Sequence, residues 1–201
     1  MKEDIYYTIQ KPSEGMHKVK GSKFISFAYP IKTEEAVKDI LGELRKKYQD
    51  ARHQCYAYQL GIENQIQKSS DAGEPSNTAG KPILNQIQVK NLTNILVVVV
   101  RYFGGTLLGV SGLINAYKNA TAAAIDNAEI VMKTINDHYQ IEFDYADTAP
   151  VMKLLNDDQV EIISQHFQEK CRIQVNIRQK TAPGILKKFD QINSLKFNKI
   201  S

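Results

Sequence analysis

Asn94-Ile95-Leu96-Val97-Val98-Val99-Val100-Arg101-Tyr102-Phe103-Gly104-Gly105 contains the longest apolar run of the chain, Ile95 to Val100, closed by an arginine, two aromatics and a glycine pair. Mostly β-branched residues in an unbroken run suit a strand covered on both faces, at the centre of a sheet. The run is far shorter than the roughly 20 residues that cross a bilayer as a helix. The glycine pair breaks the strand, and from about Gly109 a small-residue helix is expected. Leu113, Ala116, Tyr117, Ala120 and Ala124 share one helical stripe, and alanine along it implies close packing of helix on sheet.

Upstream, Phe24 to Pro30 reads as a short strand. Thr33 offers an N-cap, with Glu34 and Glu35 in the first turn where the macrodipole favours anions. Val37, Ile40, Leu41, Leu44 and Tyr48 then fall on one helical face, and Arg45 to Lys47 close it with the favourable polarity. Cys55 to Leu60 resumes strand character. Residues 68–82 contain almost nothing that can be buried, and so long a polar loop inside a domain is usually functional or mobile. Ile83, Leu84, Ile87 and Val89 suggest a short helix or an irregular segment.

Downstream of Asn127 the pattern changes, which predicts two domains, 1–132 and 136–201. Tyr139, Ile141, Phe143 and Tyr145 alternate as a strand; Val151, Leu154 and Leu155 mark a short helix after Pro150. Residues 159–167 and 171–178 read as two strands, Ile185 to Ile192 as a helix, and Leu195 with Phe197 as a last strand. The order β-α-β-β-α-β is that of a ferredoxin-like unit, whose helices cover one face of the sheet. The open face should carry His138, Gln140, Glu142, Arg172, Gln174, Asn176 and Arg178.

The 201 residues are 42% hydrophobic and 24% charged, ordinary values for a globular protein that buries a core. Met1 to Asp4 is acidic where a signal peptide would be basic, and Cys55 and Cys171 stand far apart, as reduced thiols do; a cytoplasmic protein is expected. The net charge of +4 is too mild to announce a nucleic-acid binder. Its distribution says more, because residues 1–133 hold 17 basic and 13 acidic side chains while the remainder is balanced.

The stretch Arg101 to Gly112 joins strand to helix through glycines. Such a loop lets backbone N–H groups approach an anion beside a helix N-terminus. It has neither the lysine of a Walker A loop nor the spacing of a dinucleotide fingerprint, and the plainer reading is a tight turn needing positive φ. Arg52-His53-Gln54-Cys55 places a histidine and a thiol on one strand face about 7 Å apart at the usual rise, with no partner to orient the histidine; a structural pair is favoured. The four histidines are scattered, no metal-ligand spacing is present, and no cofactor is expected. Asp71 and Glu74, with Thr78 nearby, could serve acid–base work or Mg²⁺ binding.

Gly21-Ser22-Lys23-Phe24, Arg52 to Ala57, Gly73-Glu74-Pro75, Thr78-Ala79-Gly80-Lys81-Pro82-Ile83-Leu84, Arg101 to Gly105, Leu108-Gly109 and Gly112-Leu113 with Ala116-Tyr117 together resemble the signature of the YigZ/IMPACT family over most of residues 15–125. Ala72 stands where the family usually has Asp, and Asn77 where it usually has Gly. The first departure speaks against a two-acid metal site in that loop. The resemblance implies an α+β protein: an N-terminal α/β domain like the second domain of ribosomal protein S5, then a small ferredoxin-like βαββαβ domain. It also implies a link to translation, since eukaryotic relatives regulate translation under amino-acid starvation through protein partners.

The reading is therefore a non-enzymatic, translation-associated regulator that contacts RNA or the ribosome, without a membrane partner or DNA specificity. Lys23, Arg52, Lys81 and Arg101, with Gly104, Gly105, Gly109 and Gly112, form the candidate anion- or RNA-binding set. Arg101 has two possible places: beside the N–H groups of the following helix, or buried against a carboxylate such as Glu74. The alternatives are a small-molecule or phosphate-ester enzyme using the glycine loop, and a protein-interaction module. The last is favoured if the open face of the C-terminal sheet proves apolar.

Overall fold

A computed structural model describes residues 4–62, 65–156 and 160–200. Readings that touch Met1–Glu3, Gln159 or Ser201 lie outside these residues. The chain divides into two compact units, Tyr6–Lys133, and Thr134–Ser201 together with Met1–Ile5. It is a mixed α and β architecture with several sheets.

Within the larger unit the elements run β1 (Ile5–Ile9), β2 (Ser13–Val19), β3 (Ser22–Pro30), α1 (Glu34–Lys47), β4 (His53–Leu60), β5 (Ile66–Ser70), α2 (Gly80–Val89), β6 (Ile95–Tyr102), α3 (Gly109–Asp126) and β7 (Ile130–Thr134). β1 pairs with β7 in a two-stranded ribbon; the other five strands form an antiparallel sheet in the order β2-β3-β6-β4-β5. β6 is central, and Ile95 to Arg101 are all buried, as the apolar run predicts. Alternate residues serve two cores. Leu96, Val98 and Val100 pack with Val37, Leu41 and Leu44 of α1. Val97 and Val99 pack with Ile83 and Ile87 of α2 and with the Leu113–Ala116–Tyr117–Ala120–Ala124 stripe of α3. Thr33 caps α1, its hydroxyl accepting from the Ala36 N–H at 3.2 Å. α3 does lie close: a Cβ on Gly15 of β2 would sit 2.4 Å from the Ala124 nitrogen.

β1, β2, β5 and β7 were not expected. β2 and β5 are edge strands with polar, exposed sequences, which carry no apolar alternation to read. The polar loop also differs from expectation. Lys68 to Ser70 belong to β5, and Glu74, Thr78, Ala79, Gly80 and Pro82 are buried, so its polar groups are satisfied inside the protein.

In the smaller unit the order is β8 (Asn136–Asp144), α4 (Thr148–Leu155), β9 (Val160–His166), β10 (Lys170–Arg178), α5 (Ala182–Phe189) and β11 (Lys196–Ile200). The sheet order is β11-β8-β10-β9, all neighbours antiparallel. Tyr139, Ile141, Phe143, Ile173, Val175 and Ile177 pack with Val151, Leu155, Ile185 and Phe189 of the helices. Tyr145, expected to end the strand, lies in a short 3₁₀ turn and is exposed. Pro150, expected before the helix, sits in the first turn of α4, where no intrahelical N–H is lost. Asp4 belongs with this unit: its carboxylate accepts from Arg178 Nε and Nη2 at 2.8 and 2.9 Å and from the Lys180 N–H.

Candidate functional site

Register places Arg101 between Phe24 of β3 and His53 of β4 at the end of the central strand. The side chain is buried, 7% exposed, and it takes the second of its two possible places. Its Nη1 donates to Glu74 Oε1 at 2.6 Å, and its guanidinium carbon lies 5.4 Å from the Phe24 ring centre and 5.6 Å from that of Phe103. The Tyr117 hydroxyl donates to the same Glu74 oxygen at 2.8 Å. The Cys55 thiol lies 3.3 Å from that hydroxyl and 2.9 Å from the Asp71 carbonyl. A strand, a loop and a helix are thus joined through one carboxylate.

Asp71 is held as firmly. Its carboxylate accepts from the N–H groups of Asn77, Ala79 and Gly80 at 2.9, 3.0 and 2.8 Å, which caps the start of α2 from outside the helix. The Thr78 hydroxyl donates to the Pro75 carbonyl at 2.7 Å. The three candidate loop residues are brought together, each engaged with the protein itself. His53 Nδ1 lies 3.0 Å from the Ala72 carbonyl, so that nitrogen carries the proton and Nε2 is left for another partner. Burial pushes the Cys55 thiol up to about 12, despite the Tyr117 contact; Glu74 and Asp71 add to the rise. It stays protonated near neutrality, the opposite of an activated nucleophile. The Tyr117 phenol is pushed up as well, first by burial and then by Cys55 and Glu74.

The glycines divide by function. Gly104 is required by contact, because a Cβ there would lie 1.9 Å from the Gly21 carbonyl carbon. Gly105 and Gly109 have φ of +84° and +71° in open space, the tight-turn reading of the loop. Gly112 meets only the Leu108 side chain. Lys23 lies opposite Tyr102 at the same end of the sheet; Arg52 precedes β4, and Lys81 is exposed in the first turn of α2.

Beyond the pinned loop lies a cavity of about 480 Å³. Its lining is Asp50, Arg52, His53, Arg101, Tyr102, Phe103 and Leu107. The Asp50 carboxylate accepts from the Tyr102 hydroxyl at 2.8 Å. Phe103 is 55% exposed and Leu107 83%, both flanking the glycine pair. Five residues here were given no site role by sequence reasoning: Asp50, Tyr102, Phe103, Leu107 and Tyr117. Tyr117 read only as one of a packing stripe, although it is the polar-tipped member among alanines. Phe103 and Leu107 carried a signal, large apolar groups in a glycine loop, that was read as turn context.

In the smaller unit a wider hollow of about 830 Å³ lies on the sheet, lined by Gln140, Ser164, Arg172 and Gln174 among other polar residues.

The Impact N-terminal domain family matches residues 20–125. An IMPACT family member of Haemophilus influenzae is 36% identical over 165 residues, 81% of this chain and 80% of its own length. IMPACT family member YvyE of Bacillus subtilis is 29% identical over 175 residues, 87% of this chain and 81% of its own. A solved structure described as that of a hypothetical protein has a TM-score of 0.75 at 29% identity, covering 100% of this chain and 99% of its own. With the family's domain matched across more than half of the chain, and a relative 36% identical over 81% of it, the chain belongs to the IMPACT family.

Proposed function

We propose that this protein is a non-enzymatic, cytoplasmic, translation-associated regulator whose larger unit contacts RNA or the ribosome. In this reading the larger unit is a relative of the second domain of ribosomal protein S5, and the smaller one is ferredoxin-like, a name its strand order β11-β8-β10-β9 supports. The translational role rests on what the family resemblance implies. The RNA contact rests on one observation: Arg52 and Lys23 stand at one end of the sheet, beside the glycine loop, with no ion-pair partner among the described residues. Unpaired cations on a surface are what phosphates recruit.

Arg101 supports the surface from beneath instead of touching the nucleic acid. Lys81 adds charge from the start of α2. The enzyme alternative loses support because Asp71 and Glu74 are engaged by backbone amides, Arg101 and Tyr117. The interaction-module alternative required an apolar open face, and Gln140, Arg172, Gln174 and Asn176 there are polar.

Binding of structured RNA or ribosomal subunits, followed from 50 to 300 mM salt, should show a log–log slope of roughly −2 to −4. Arg52→Ala should flatten that slope by about one unit. A slope near zero, or one indifferent to both Arg52→Ala and Lys23→Ala, overturns the reading.

A further inference from the structure

We infer that the cavity beside the glycine loop binds one ribonucleotide unit, its phosphate at Arg52, its base against Phe103 and its ribose at Asp50. This deepens the RNA reading above and rests on it for the source of the ligand. Four observations on the same cavity converge. First, Arg101 borders it, nine-tenths buried and held through Nη1 by Glu74, and so places a guanidinium behind the cavity without touching a ligand. Second, Arg52 in the same lining is exposed and unpaired, and a guanidinium is the donor type that matches phosphate oxygens best.

Third, Phe103 presents a half-exposed ring in the same lining, next to glycines that keep the backbone from crowding it. An exposed aromatic beside cations is a base-stacking platform with phosphate contacts, the pairing that single nucleotides in RNA-binding grooves use. Fourth, Asp50 uses one carboxylate oxygen for the Tyr102 hydroxyl, which leaves the other to accept from a ribose hydroxyl. His53, in the same lining, has its Nδ1 on the Ala72 carbonyl, which leaves Nε2 for a further partner. The volume, about 480 Å³, lies within the roughly 300–1,000 Å³ of small-ligand pockets. It suits one nucleotide and is too small for a helix of RNA.

The test uses the full chain and four probes in calorimetric titration: AMP, dAMP, inorganic phosphate and an eight-nucleotide oligoadenylate. AMP is expected to bind one to one, at least tenfold tighter than phosphate and several-fold tighter than dAMP. Phe103→Ala, at an exposed position that folding does not need, should weaken AMP tenfold and leave phosphate unchanged. Arg52→Ala should weaken both. Binding of the oligomer with the same dependence on Phe103 identifies the source as RNA. AMP binding without oligomer binding supports the cavity and removes the RNA reading. Oligomer binding that depends on Arg52 but not on Phe103, with no AMP binding, overturns the cavity site while the RNA reading stands. No saturable binding of any probe overturns both.

Discussion

Glu74 Oε1 accepts from Arg101 and from Tyr117, and the consequences of that one atom can be measured. Breaking a buried ion pair from one side leaves a charge without compensation, so Arg101→Ala should cost about 3–5 kcal/mol in urea unfolding. Tyr117→Phe removes only a hydroxyl and should cost about 1–3 kcal/mol. Arg101→Ala should also leave the salt slope of RNA binding by the folded fraction unchanged; a flattened slope in a stable variant would contradict the buried role. Cys55, with its thiol pushed up to about 12 by burial, should resist iodoacetamide at pH 8 in the native protein and react on unfolding. The sequence names Arg101 and Glu74 as a possible pair but cannot decide it, because the choice depends on where a loop twenty-seven residues upstream folds back. Ala72 and Asn77, the two departures from the family pattern, sit at φ of +44° and +62°. Gly, Asn and Asp suit that region and alanine does not, so Ala72→Gly should raise stability by up to about 1 kcal/mol.

Among the elements, the turn from β6 to α3 separates two uses of glycine that look alike in sequence. Gly104→Ala would drive a methyl into the Gly21–Ser22 backbone, and the variant should be largely unfolded or insoluble. Gly109→Ala meets nothing within 4 Å and strains only its own φ, a cost of about 1–2 kcal/mol. Comparing the two melting temperatures checks the distinction, and equal losses would refute it. Periodicity reads β6, α1 and α3 well because the strand buries a continuous run between two cores and each helix a stripe against one of them. It does not read β2 or β5, whose pairing at the edges is made by backbone groups that any sequence supplies. It also mistakes the 68–82 stretch for solvated loop, since a polar residue satisfied by buried partners has the same letter as one satisfied by water.

For the whole molecule, the two units predict separable behaviour. Residues 6–133 expressed alone should give a dispersed NMR spectrum, whereas residues 134–201 alone lack Asp4 and should be less stable than the same unit in the full chain. The Arg178 hydrogen bond holds the Asp4 carboxyl below its ordinary value, outweighing burial; the Lys180 amide and the Arg178 charge lower it further. A lowered folded value means stability present above the ordinary carboxylate range, about 3.9, and lost as pH falls through the lowered one. Amide exchange of Val175 and Ile177 should therefore accelerate below about pH 4, and Asp4→Asn should abolish that acid-specific change. The same contact has a consequence in time. Asp4 is made 174 positions before its arginine, about 9–35 s earlier at ordinary rates of synthesis. Within that interval the larger unit is completed and can fold, while Asp4 waits for Arg178. The smaller unit, made after the larger, is thus the one that fixes a residue made before it.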